Sequence, residues 1–125
     1  MKLLVAGVVI SLLFVGCNQD RRPLSGPYYL KRLIEAGTSY YVIDPEARNE
    51  GGGVFDGTVE EIGWNQEWIL ARVKRIFHGD PSGWYALDLK TNQIRGPFQD
   101  TEVRANPGFT NIKLLQPAEV FSCKR

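Results

Sequence analysis

Trp68-Ile69-Leu70-Ala71-Arg72-Val73-Lys74-Arg75-Ile76-Phe77 is the stretch that decides the fold. Ile69, Ala71 and Val73 alternate with Trp68, Leu70, Arg72, Lys74 and Ile76, so one face is apolar and the other carries charge. That period of two is the signature of a half-buried strand.

Turn chemistry brackets the stretch and recurs along the chain at short intervals. It appears at Ala36-Gly37-Thr38, Asp44-Pro45, Asn65-Gln66-Glu67, Gly79-Asp80-Pro81-Ser82-Gly83, Lys90-Thr91-Asn92, Gly96-Pro97 and Asn106-Pro107-Gly108. Short runs rich in Val, Ile, Tyr and Trp separate these turns, which favours antiparallel strands over helices. The expected strands are Tyr29–Glu35, Ser39–Asp44, Thr58–Trp64, Trp68–Phe77, Trp84–Leu89, Gln93–Gly96 and Asn111–Leu115. The fold predicted is all-β, a single antiparallel meander forming a curled sheet or small open barrel. At most one short helix is expected, at Asp100–Ala105, capped by Asp100 or Thr101 and stopped by Asn106-Pro107-Gly108.

The chain also echoes itself. Leu30-Lys31-Arg32-Leu33-Ile34 returns as Val73-Lys74-Arg75-Ile76-Phe77, and Tyr40-Tyr41-Val42-Ile43-Asp44 as Trp84-Tyr85-Ala86-Leu87-Asp88. A period of about 43 residues lies in the range of propeller blades, yet a closed propeller of four blades needs roughly 160 residues. A duplicated hairpin unit and a chance likeness between hairpins are both compatible with the echo.

The N-terminus carries a different message. Met1-Lys2 precedes an uncharged apolar run from Leu3 to Gly16, which ends at Cys17. The run is shorter than the about 20 residues a membrane-spanning helix needs, and it has the charged start and apolar centre of a removable export signal. Val15-Gly16-Cys17 resembles the bacterial lipobox, with Phe14 where leucine is usual. That resemblance implies cleavage before Cys17, a diacylglycerol thioether on its sulfur and a bilayer as the first partner. Asn18 rather than Asp after the cysteine implies the outer membrane, facing the periplasm, in a Gram-negative envelope. The expected organisation is therefore a signal at 1–16, a lipidated flexible tether at 17–27 and a β-rich domain at 28–125. The tether reading rests on the polar, turn-forming composition of Asn18–Pro27.

The whole chain has 15 basic and 14 acidic residues among 125. Lys2 leaves with the signal, so the remainder is balanced, and a nucleic-acid partner, which demands a basic face, is not expected. With Cys17 committed to lipid, Cys123 is an odd thiol in an oxidising compartment.

Residues that could carry chemistry are few. His78 is the single histidine. With Ser82 and Asp80 it would form a triad only if all three converged, which residues along one tight turn seldom do. Structural zinc needs about four Cys or His ligands, and calcium needs clustered oxygens beyond Asp56, Glu60 and Glu61. No metal and no cofactor is therefore expected. Glu61 and Glu67 are a conceivable acid pair for sugar hydrolysis, and Gly51-Gly52-Gly53 lacks the Gly-Lys-Ser/Thr ending of a phosphate loop.

The aromatics at strand ends are the remaining candidates. Tyr40, Tyr41, Trp64, Trp68, Trp84 and Tyr85 would serve either the core or a partner interface, where exposed Trp and Tyr act as anchors. The segment from Ile62-Gly63-Trp64-Asn65 through Gly83-Trp84-Tyr85-Ala86-Leu87-Asp88 to Gly96-Pro97-Phe98 is similar to small, mostly uncharacterised bacterial envelope lipoproteins. That similarity implies a small β-rich envelope domain and carries no catalytic residue with it. The expected role is non-enzymatic, the binding of another protein as an immunity, inhibitor or assembly factor. A carboxylate-using wall hydrolase and a purely structural spacer are the alternatives.

Overall fold

The computed structural model describes residues 20–45, 54–55, 57–76 and 79–122. Residues 1–19, which include the expected signal and Cys17, and Gly51–Gly53, Asp56, His78 and Cys123 lie outside them. The strands are β1 (Arg21–Pro23), β2 (Tyr28–Glu35), β3 (Thr38–Pro45), β4 (Gly57–Trp64), β5 (Trp68–Arg75), β6 (Gly83–Asp88) and β7 (Ile94–Phe98). Two short helices follow, α1 (Asp100–Ala105) and α2 (Pro117–Val120).

The all-β, antiparallel expectation is what the structure has, with differences in detail. The meander is divided into two sheets, β1-β2-β3 and β4-β5-β6-β7, rather than one. They meet at β3 and β4 without a ladder: Tyr41 N donates to Thr58 Oγ1 (3.0 Å) and Val54 N to Ile43 O (2.8 Å). A side-chain oxygen and a loop amide thus stand in for the missing strand pairing.

Between the sheets lies the larger core. Leu30 and Ile43 face it from the first sheet, and Val59, Ile62, Ile69, Val73 and Leu87 from the second, with Phe55 and Phe121 filling in. Each such fully buried aliphatic side chain contributes about 1.5–3 kcal/mol. A second core sits on the far face of the second sheet, where Leu70, Trp84 and Ala86 are covered by Val103, Phe109 and Ile112. The face of β5 read as outer is thus solvated only towards its charged end.

The polar tether gives way from residue 20 onward. Arg21, Arg22 and Pro23 pair with Lys31, Leu30 and Tyr29. Packing reinforces the ladder, since the guanidinium of Arg21 lies 5.1 Å from the Tyr29 ring centroid and that of Arg22 5.0 Å from Phe121. Arginine stems and planar heads stack on aromatic faces, so a polar stretch becomes an edge strand.

Two more expectations are corrected. One helix was expected and there are two among the described residues, α2 being a single turn begun by Pro117 with Gln116 N donating to Glu119 Oε1 (2.9 Å). Asn111–Leu115 is not a strand; it crosses the far face of the second sheet and bonds β4 only between Leu115 and Ile62. Nor does the echo extend to pairing: Leu30 faces Ile43, whereas its counterpart Val73 faces Gly83 and Leu87 faces Ile69. Helix α1 has the expected bounds but a different cap, Gln99, whose N–H bonds Glu102 Oε1 (3.0 Å). Asp100 is engaged elsewhere.

The β2–β3 hairpin turns on Ala36 and Gly37, both at positive φ (50° and 81°). Two-residue hairpin loops favour such conformations because their twist matches that of the strands, and Gly37 adopts its own without steric cost.

Candidate functional site

The site begins with an irregularity in β4. Between Val59, opposite Val73, and Glu61, opposite Arg72, the register slips by one residue. A bulge of this kind leaves an extra residue without a partner. Val59 and Ile62 both reach the inter-sheet core, so Glu60 and Glu61 both fall towards Arg72. Its Nε and Nη2 bond Glu61 Oε1 (3.0 and 2.8 Å), and its Nη1 bonds Glu60 Oε1 (3.2 Å).

Beside Arg72 the second sheet meets α1. The Arg72 guanidinium lies 6.0 Å from the Trp84 ring centroid, and the Trp84 indole N–H donates to Asp100 Oδ1. Capturing that carboxylate docks the helix start on the sheet, while Val103 buries one turn later. The result is a cleft of about 260 Å³ lined by Glu61, Arg72, Trp84, Asp100, Val103, Arg104 and Leu114. A shallower hollow of about 380 Å³ adjoins it, reaching Glu60, Ser82 and Phe98.

Chemically the cleft offers charge of both signs on an apolar floor. The glutamate oxygens nearest the cleft are engaged by a guanidinium, which orients them as acceptors. Glu67 is not brought to Glu61. It precedes Trp68, five strand positions from Arg72, or about 17 Å along β5. That exceeds the roughly 5–9.5 Å separations used in sugar hydrolysis. Of the calcium set, Glu60 and Glu61 are both engaged by Arg72, and Asp56 lies outside the described residues. No group of three or more His, Cys, Asp or Glu converges among the described residues. Ser82 Oγ accepts from Arg75 N (2.8 Å), bracing the loop between β5 and β6.

The aromatic candidates separate into two kinds. Trp84 and Tyr85 are buried on opposite faces of β6, so each ring packs in one of the two cores, and Trp84 also lines the cleft. Burial raises the Tyr85 phenol pKa above its ordinary value, with the Asp80 carboxylate adding to the rise, and its hydroxyl donates to Pro81 O (2.7 Å). Tyr40, Tyr41, Trp64 and Trp68 are half-buried. Tyr41 packs 5.8 Å from Phe121, Trp68 meets Phe109 edge-on at 5.4 Å and receives Arg95 at 5.7 Å, and Trp64 borders the inter-sheet core. Tyr40 stands apart, opposite Leu33 near the β2–β3 turn.

Arg72, Asp100 and Arg104 were not singled out by reading the sequence. The available signal was two consecutive glutamates in one strand facing a lone arginine in the next. No family model, characterised protein or solved structure matches the chain.

Proposed function

We propose that the chain is a lipid-anchored envelope protein, held to the outer membrane through Cys17 and facing the periplasm, whose domain acts by binding another protein. The observation that carries the binding reading is the cleft around Arg72. It presents Arg104, Asp100 and the Glu60–Arg72–Glu61 cluster around an apolar floor of Val103 and Leu114, the latter 37% exposed. Interfaces use this combination, an apolar centre within a polar rim. Opposed charges around it fix orientation more than affinity. A non-enzymatic role as immunity, inhibitor or assembly factor is consistent with carboxylates committed to a guanidinium.

The test is a photo-cross-linking side chain placed at Leu114 or Arg104 in living cells. A discrete adduct with one envelope protein, weakened when Arg104 is reversed to Glu, supports the reading. Absence of any adduct from both positions refutes it. Mass spectrometry of the purified protein tests the anchor, which requires acyl chains on Cys17.

A further inference from the structure

The β2–β3 hairpin ends in a cluster that the core does not use. Ile34 is 63% exposed and Leu33 36%, with Tyr40 opposite Leu33 and Ala36 in the turn. A large aliphatic residue left this open at a hairpin tip marks a contact surface when other apolar groups adjoin it. Cations flank it: Arg21, Lys31 and Arg32 line a hollow of about 430 Å³ together with Leu33 and Asp20.

What covers the tip follows from how residue 20 is fastened to β2. Asp20 is fastened to Arg32, its carbonyl accepting from Arg32 N (2.8 Å) and its carboxylate bonding Arg32 Nη2 (2.7 Å). Cys17 precedes Asp20 by only three residues, and a chain of three residues reaches at most about 11 Å. Arg32 is in turn only two strand positions from Ile34. The Cys17 backbone therefore stands within about 20 Å of Ile34, and β1, traced back from Pro23 to Arg21, runs towards the tip.

We infer that the β2–β3 tip rests in the bilayer surface that holds the Cys17 acyl chains, with Leu33, Ile34 and Tyr40 at the acyl boundary. This inference rests on the proposed acylation of Cys17. A short connection fixes the domain's orientation as well as its address, with the first sheet's tip down. The β1–β2 turn stands at the other end of β2, about 23 Å farther out. Exposed aliphatic side chains beside a tyrosine suit that boundary, since the former enter it while the phenol sits at its polar edge.

The experiment uses the full acylated protein, with its lipid verified by mass spectrometry, in vesicles of phosphatidylethanolamine and phosphatidylglycerol. In a Cys123→Ser background, an environment-sensitive fluorophore is attached through Ile34→Cys, and in a second sample through Lys90→Cys. Lys90 is exposed near Asn92, which bonds the Tyr28 hydroxyl (2.9 Å) at the far end of β2. Spin-labelled lipid should quench the probe at position 34 several-fold more than that at position 90, with a blue-shifted emission at 34 alone. Equal or absent quenching on acylated protein overturns the tip contact and leaves the anchor standing. A bare Cys17 thiol overturns both.

Discussion

Gly63→Ala is the sharpest test of how the C-terminal segment closes the second sheet. Gly63 lies in β4 with an ordinary backbone conformation, so alanine itself is no conformational burden. The added Cβ, however, would sit 2.5 Å from Ile112 Cγ2 and 2.5 Å from Lys113 O. The Ile112 methyl can rotate aside; a backbone carbonyl cannot. Relief requires residues 112–115 to lift, which strains the paired bonds Ile62 N to Leu115 O (2.9 Å) and Leu115 N to Ile62 O (2.7 Å). Overpacking costs about 1–3 kcal/mol, and two weakened backbone bonds add about 1 kcal/mol each. The stiffer unfolded chain returns only about 0.4–1 kcal/mol. A net loss of about 2–4.5 kcal/mol would lower Tm by roughly 10–35 °C in a domain of this size. Thermal unfolding followed by circular dichroism and tryptophan fluorescence measures it. Adding Ile112→Ala should give no full rescue, because the carbonyl clash persists. A Gly63→Ala protein as stable as the parent would refute the close crossing.

Other outcomes follow from the same structure. Burial raises the phenol pKa values of Tyr28 and Tyr85. Above about pH 10 the unfolded chain therefore gives up these protons before the folded one does, and stability falls as pH climbs further. Phenolate absorbance should show two late-titrating tyrosines tied to unfolding, and Tyr28→Phe with Tyr85→Phe should blunt that alkaline loss. Arg72→Met should destabilise by about 1 kcal/mol, because Glu60 and Glu61 then repel across a half-exposed site. Urea midpoints should show the deficit shrinking as salt rises. Lys31→Met removes a cation 2.9 Å from Asp44, which is fully buried; a loss on the order of 3 kcal/mol is expected in chemical denaturation.

The strands from Tyr28 to Phe98 were legible because short runs rich in β-branched and aromatic residues lie between recognisable turns. Strand β1 was not, since Arg21-Arg22-Pro23 has the composition of a linker and is held as a strand by partners supplied from β2 and from Phe121. The two-sided burial of β5 was likewise hidden. Arg72 and Lys74 mark its far face as polar, and the residues that cover Leu70 arrive from Val103 to Ile112, far along the chain. The cleft depends on a bulge, and strict alternation assigns Glu60 and Glu61 to opposite faces. Asp100 reads as a helix cap until Trp84 claims its carboxylate. Each miss is a tertiary contact overriding a local pattern, which is where pattern reading loses its hold.

The double coverage of the second sheet has a bearing on how the protein is made. Leu70, Trp84 and Ala86 are shielded by Val103, Phe109 and Ile112, which leave the ribosome after the whole sheet, so a nascent chain stopped short of Ile112 would hold a sheet with one greasy side bare. Synthesis must run past Ile112 before that side is sheltered. Until then the growing polypeptide is a client for chaperones, and a chain cut before Phe109 would be prone to clumping.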